Sequence, residues 1–168
     1  MLNYKKEDKK MDVNVLQAIL AKKEITTKDK IVFKLINSVL TTLFIDENRQ
    51  SLLQVGYKIN EQEYLWFPNL SLDNKKEQNI NDGYANYLSS DGNFLYQFTA
   101  TTAIDKRKSQ GEKYLQNKIH FVTFGKINDK KKGIGYHFLG IFIFVGFTDE
   151  DCQTMIYQKI RDNYQLDS

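Results

Sequence analysis

Four side chains have the chemistry to hold a flat heterocycle: Tyr96, Gln97, Tyr114 and Tyr136. Phenol rings offer stacking faces, and a glutamine amide supplies both a donor and an acceptor for a base edge. Cations are concentrated in the same part of the chain. From Lys106 to Lys132 nine Lys and Arg stand against Glu112 and Asp129, a local +7 in a chain of net charge +3, so the remainder carries −4. Lys106, Arg107, Lys108, Lys130, Lys131 and Lys132 are therefore candidate phosphate contacts, because clustered cations displace counterions from a polyanion. The competing reading is a pair of solvated lysine-rich loops.

Other chemistries find little support. Cys152 is the lone cysteine, which excludes an internal disulfide and a cysteine-built zinc site; it reads as a buried small hydrophobe. His120 and His137 do not have metal-ligand spacing. Gly133 and Gly135 are followed by neither Gly-Lys-Ser nor Gly-Lys-Thr, so they make no phosphate loop, and no cofactor is implied. Asp91 with Glu112 and Lys113 is the nearest approach to the carboxylate, carboxylate, lysine set of a metal-dependent nuclease. His137 is a polar lining residue or a satisfied neighbour of backbone groups, and Trp66 a stacking platform or a hydrophobic wall.

The elements that must position these residues are organised around Gly135–Phe147, GYHFLGIFIFVGF. Its aromatic and β-branched content, its glycines and its shortness for a membrane helix mark a buried strand. Residues 1–11 read as a charged tail and 12–48 as a helical extension packed on a domain spanning 49–168. In the extension a helix runs from Asp12 to Lys22, a break covers Glu24–Thr26, and a second helix runs from Thr27 to about Phe44, too apolar on its outer face for a recognition helix. Strands are expected at Ser51–Ile59, Tyr64–Phe67, Phe94–Thr99 and Ile119–Lys126, with Phe121 and Phe124 on opposite faces. Gly83–Leu88 reads as a short helix or irregular piece, Ala103–Gln110 as a basic loop, Gly111–Asn117 as one or two helical turns, and Asn128–Gly133 as a hairpin connection. From Asp149 the spacing of Cys152, Met155, Ile156, Ile160 and Tyr164 predicts a closing helix. The fold class is α+β: a curved, mostly antiparallel sheet or open barrel, with two N-terminal helices and a C-terminal helix.

An ordered series adds to this: Tyr84-Ala85-Asn86-Tyr87, Phe94-Leu95-Tyr96-Gln97, Ser109 to Leu115, Phe121-Val122-Thr123-Phe124 and Tyr136-His137-Phe138-Leu139-Gly140. It resembles the C-terminal domain of helicase-like restriction proteins, including ATP-dependent type IV enzymes that cut modified DNA, a domain similar to SRA-like and PUA-like readers of modified cytosine. That family has Phe-His-Trp-Gln where this chain has Phe94 to Gln97, then a Gly-x-x-Tyr-Ile step and a Tyr-x-Phe-Leu-Gly strand. This chain departs from it at Phe98-Thr99-Ala100, where the family is rich in Ser, Gln and Asn. The resemblance implies a non-enzymatic DNA-binding module reading modified bases as the specificity part of a restriction or phage-defence system, and the lone cysteine with no apolar signal segment at the start leads us to expect a cytoplasmic location. Tyr96, Gln97, Tyr114 and Tyr136 would form the base pocket, and Gln97 leads for the base edge, since Tyr96 shares the face of Phe94 and Phe98 and is equally a core residue. The alternatives are a scaffold docking a helicase or nuclease partner and, more weakly, a metal-dependent nuclease.

Overall fold

The apolar run is one long strand around which the sheet is built. The structure, a computed structural model, describes residues 12–44, 58–70 and 83–166. Before this strand in the chain come α1 (Val13–Lys22), β1 (Glu24–Thr26), α2 (Ile36–Leu43), β2 (Glu63–Trp66), β3 (Tyr84–Leu88), β4 (Phe94–Thr99), α3 (Ile104–Gln116) and β5 (His120–Ile127). The long strand is β6 (Gly135–Phe147); β7 (Thr154–Arg161) and β8 (Asn163–Gln165) follow it. The main sheet has the order β2-β5-β6-β7-β4-β3, with β2 parallel to β5 and every other pair antiparallel. Register shifts interrupt the pairing of β6 with both neighbours, and such bulges increase twist and bend the strand. The sheet curls without closing. Single bridges from Asn69 to Lys126 and from Leu70 to Asn86 set Asn69 and Leu70 between the ends of β5 and β3.

Side-chain alternation along the curled strands divides the interior into two cores. On one side Ile19, Ile25, Phe33, Val39, Leu40, Phe124 and Phe138 join the helices to the sheet. Phe124 is fully buried at its centre, in ring contact with Phe33, Phe44, Phe67 and Phe138. On the other, Leu95, Phe121, Phe142, Phe144, Met155 and Tyr157 fill the hollow of the curl. Phe121 and Phe124 therefore do face opposite ways.

Several expected elements take other forms. The closing helix is absent: after a loop, Thr154–Arg161 is a strand inserted between β4 and β6, and Asn163–Gln165 pairs with β1. Met155 and Tyr157 point into the inner core while Ile156 points outward, so a strand apolar on both faces imitates helical spacing. Tyr84–Leu88 is a strand paired along its whole length with β4. Ala103–Gln110 and Gly111–Asn117 merge into the single helix α3. The second helix is shorter than expected: the Asp29 carboxylate reaches back to accept from the Thr26 amide at 2.8 Å, Phe33 bridges Tyr136, and the helix starts only at Ile36. The expected strand Ser51–Ile59 falls mostly outside the described residues; of it, Lys58 bridges Tyr64.

One junction fixes the end of this sheet. Phe33 and Tyr136 form an antiparallel bridge, with Phe33 N–H donating to Tyr136 O at 3.0 Å and Tyr136 N–H donating to Phe33 O at 2.6 Å. Gly135 stands beside it at φ +146°, where an added Cβ would lie 2.6 Å from the Phe33 carbonyl oxygen. Gly135→Ala is expected to cost about 2 kcal/mol through backbone strain, lowering Tm by about 4–8 °C in a thermal melt. An unchanged melt would show that the bridge gives way without cost.

Candidate nucleic-acid interface

The curled sheet has two ends of different chemistry. At the first, α3 lies across the strand ends. Gly111 permits the approach: a Cβ there would come within 2.8 Å of the Phe144 ring. Tyr114 packs edge-on against Phe121 at 5.0 Å and Phe144 at 6.2 Å. Its hydroxyl accepts from Gln110 Nε2 at 2.7 Å, and burial pushes its pKa up. Arg107 is 5% exposed and faces inward. Its Nη2 donates to Gln97 O at 2.9 Å and Gln153 O at 3.3 Å, its Nη1 to Gln97 Oε1 at 3.4 Å and its Nε to Cys152 O at 3.5 Å. Burial pulls its guanidinium below the usual range. Tyr157, whose hydroxyl donates to Gln97 Oε1 at 3.3 Å, is pushed strongly up by burial.

The opposite end opens as a cavity of about 250 Å³. Leu88 and Ile127, at the ends of β3 and β5, line it with Leu139 of β6 and Lys159 of β7, with Asp29 and Ile31 on the side of the Thr27–Leu35 segment and His137 at the root of the β5–β6 hairpin. Three polar groups are fixed there. His137 Nε2 lies 2.7 Å from the Gly133 carbonyl; a carbonyl only accepts, so Nε2 carries the proton in this contact and Nδ1 of the neutral ring is an acceptor. The Asp29 carboxylate accepts from the Thr26 amide and hydroxyl and pairs with Lys22 at 3.2 Å. Lys159 is held by Asp162 at 3.0 Å.

Around this mouth the Phe33–Tyr136 bridge joins two basic segments distant in sequence. Lys28, Lys30 and Lys34 come from one, and Lys130, Lys131 and Lys132 from the hairpin; all six are exposed. Nearby Asp29 is tied to Lys22, and Asp129 caps the hairpin turn by accepting from the Lys131 amide at 2.9 Å. Half of this rim was missed because Lys28-Asp29-Lys30 reads as the start of a helix. The run Thr26-Thr27-Lys28-Asp29, with Thr and Asp side chains that favour turns, was the available clue.

The residues expected to form the base pocket lie in three surroundings. Gln97 and Tyr114 meet the Arg107 and Tyr157 groups at the α3 end. Tyr96 stacks on Tyr87 at 5.1 Å on the outer face of the sheet, and Tyr136 packs on the helical core, edge-on to Phe67 at 5.8 Å. The expected phosphate contacts divide in the same way. Lys130, Lys131 and Lys132 stand at the open mouth; Lys106 and Lys108 are exposed on α3 at the other end, Lys108 beside Asp149 and Glu150, and Arg107 is an internal brace. Asp91 accepts from Ser89 Oγ at 2.7 Å and the Asn93 amide at 3.0 Å in the β3–β4 turn, and these bonds hold its carboxyl below the usual range. Glu112 and Lys113 are on α3 at the opposite end, apart from it. Among the described residues no three His, Cys, Asp or Glu side chains gather as a metal site, and no helix is long and apolar enough to cross a membrane.

An open, curled α+β sheet with two lysine-bearing segments joined at one end defines the class: a domain suited to face a polyanion. Residues 18–166 match the model of the SET and RING associated (SRA) domain, and the chain belongs to that family, one of DNA-binding reader domains rather than catalytic ones. The match extends well beyond the Tyr84–Phe147 series that carries the resemblance in sequence. Among solved structures, the 5-hydroxymethylcytosine-specific restriction enzyme AbaSI shares the fold with a TM-score of 0.62 at 18% identity, over 91% of this chain. The chain spans 45% of that enzyme's chain. No curated protein matches it in sequence.

Proposed function

We propose that the chain is the specificity module of a restriction system, binding DNA through the lysine-rimmed mouth and reading a modified base in the cavity behind it. One observation carries this reading: two segments, each with three exposed lysines, are joined by the Phe33–Tyr136 bridge next to a cavity that Asp29 of the first segment and His137, just after the second, help to line. Phosphate contacts supply affinity and register, whereas identity must be read from a base edge. A modified base in a duplex has to leave the stack to be enclosed. A cavity of about 250 Å³ falls below the roughly 300–1,000 Å³ of drug-sized sites, a scale suited to one nucleobase. Its apolar walls, Leu88, Ile127 and Leu139, would flank the ring. Asp29 and His137 Nδ1 would accept from an exocyclic amine or a hydroxyl, and Lys159 would donate.

The neighbouring restriction enzyme makes 5-hydroxymethylcytosine the first modification to test. Fluorescence anisotropy with duplexes differing only at one cytosine (plain, 5-methyl or 5-hydroxymethyl) is expected to show a preference of about tenfold or more for a modified duplex, as one or two hydrogen bonds to a buried group provide. Binding to all of them should weaken steeply with salt. Absence of binding to any duplex at about 50 mM salt, where phosphate contacts are strong, would end this reading.

A further inference from the structure

One wall of the cavity is formed by a side chain that the sheet holds out of register. Thr123 pairs with Gly140 and Phe124 with Phe138, so a single step along β5 spans a double step along β6, and Leu139 is the extra residue of a bulge. Its side chain lines the cavity and packs on the inner core. The space it occupies is left by a glycine. A Cβ added at Gly125 would lie 2.5 Å from Leu139 Cδ1 and 2.9 Å from Leu70 Cδ1, so the two leucines close over the bare backbone of β5. Leu70 is buried in the same core. The other apolar walls are shallower: Leu88 and Ile127 end their strands, whereas Leu139 stands well beyond Gly135, the partner of Ile127.

In the reading of this cavity as the base site, Asp29 and His137 meet the polar edge of the ring. Carbon 5 of cytosine is on the other edge, and its substituent is left to the apolar wall. Resting on that reading, we infer that Leu139 determines specificity by size: it admits methyl or hydroxymethyl at carbon 5 and excludes longer groups. Leu70 and the inner core back it from behind, and a packed interior does not yield to an oversized group without cost. Gly125 sets how far back it sits. With no side chain there, Leu139 settles against β5 and leaves room for a small substituent; a larger residue at 125 would push it forward into the cavity.

Duplexes that differ at one cytosine, carrying hydrogen, methyl, hydroxymethyl or propynyl at carbon 5, test this by fluorescence anisotropy. The wild type is expected to bind the propynyl duplex about tenfold more weakly than the methyl or hydroxymethyl duplex it prefers, the scale of overpacking a core. Leu139→Ala takes an isopropyl group from the wall and should gain about tenfold on the propynyl duplex, a change that unfolding cannot produce. Gly125→Ala acts in the opposite direction: the displaced leucine should lower affinity for the preferred modified duplex about tenfold, to the level of the plain one. Both variants should keep the wild-type affinity and salt slope on plain duplex, since no cation is removed. Leu139→Val, a smaller truncation, makes the same test if the alanine variant does not fold, with a smaller gain in the same direction. The size limit is overturned if the wild type binds the propynyl duplex as well as its preferred one. It is equally overturned if a folded truncation gains nothing on propynyl, or if Gly125→Ala keeps the full preference; in each case the reading of the cavity stands. If the wild type distinguishes no modified duplex from the plain one, that reading fails and takes the size limit with it.

Discussion

Replacing Lys130, Lys131 and Lys132 together by glutamine is expected to weaken duplex binding by about 10²–10³-fold at about 0.1 M salt. Each phosphate contact contributes a slope of about −0.9 in log K against log salt, so at that concentration it is worth about an eightfold change and three are worth about 500-fold. The slope itself should become shallower by about 2 to 3, which distinguishes lost contacts from a damaged fold. The control removes the same charge elsewhere. Lys106, Lys108 and Lys113 are all on α3, at the opposite end of the curled sheet. Converting these three to glutamine leaves the chain with the same net charge as the hairpin variant, and is expected to change affinity by less than about threefold, as exposed charges beyond a Debye length from the contact are largely screened. Equal losses in the two variants would mean a diffuse response to net charge. A larger loss from the helix variant would move the contact surface to α3.

Of the two basic segments joined by the Phe33–Tyr136 bridge, the sequence made one legible and concealed the other. Lys130 to Lys132 are adjacent in the chain, so their clustering is visible without coordinates. Lys28, Lys30 and Lys34 join them only through the Phe33–Tyr136 bridge, a long-range pairing that no local pattern announces. The long strand Gly135–Phe147 was legible because thirteen residues of aromatic and β-branched character leave few other possibilities. Thr154–Arg161 was not: apolar side chains on both faces remove the period-two signal, and Cys152, Met155, Ile156 and Ile160 then coincide with helical spacing. Pairing with β4 and β6 decides the matter, and that information lies elsewhere in the chain. Gln97 was correctly placed on the face opposite Tyr96. What could not be seen is that an arginine ten residues later occupies that face.

That arginine also explains why the first half of α3 reads as a loop, and it carries the second large effect. The helix buries only Arg107 and Gly111, so it has no apolar stripe to reveal its period. It is held to the sheet instead by a guanidinium that reaches the β4 backbone at Gln97 and the β6–β7 loop at Cys152 and Gln153. No carboxylate pairs with Arg107 among the described residues, so the cost of burying its charge is met by carbonyl oxygens alone. Arg107→Ala is expected to destabilise the fold by about 3 kcal/mol, through the cavity left and the donors lost, and to lower Tm by about 6–12 °C. Arg107→Met refills much of the volume without supplying donors. It should cost less, about 1–2 kcal/mol, because Gln153 O keeps the Thr99 amide at 2.9 Å and Gln97 Oε1 keeps the Tyr157 hydroxyl. A wild-type melt for the methionine variant would show that the hydrogen bonds add nothing and that packing of Gly111 on Phe144 is what holds the helix. Arg107→Lys keeps the charge but not the fork, so it should lose stability while leaving DNA affinity and salt slope unchanged below its melting point. If its slope instead became shallower at full folding, the guanidinium would have to leave its carbonyls on binding, and the α3 end would become part of the DNA contact.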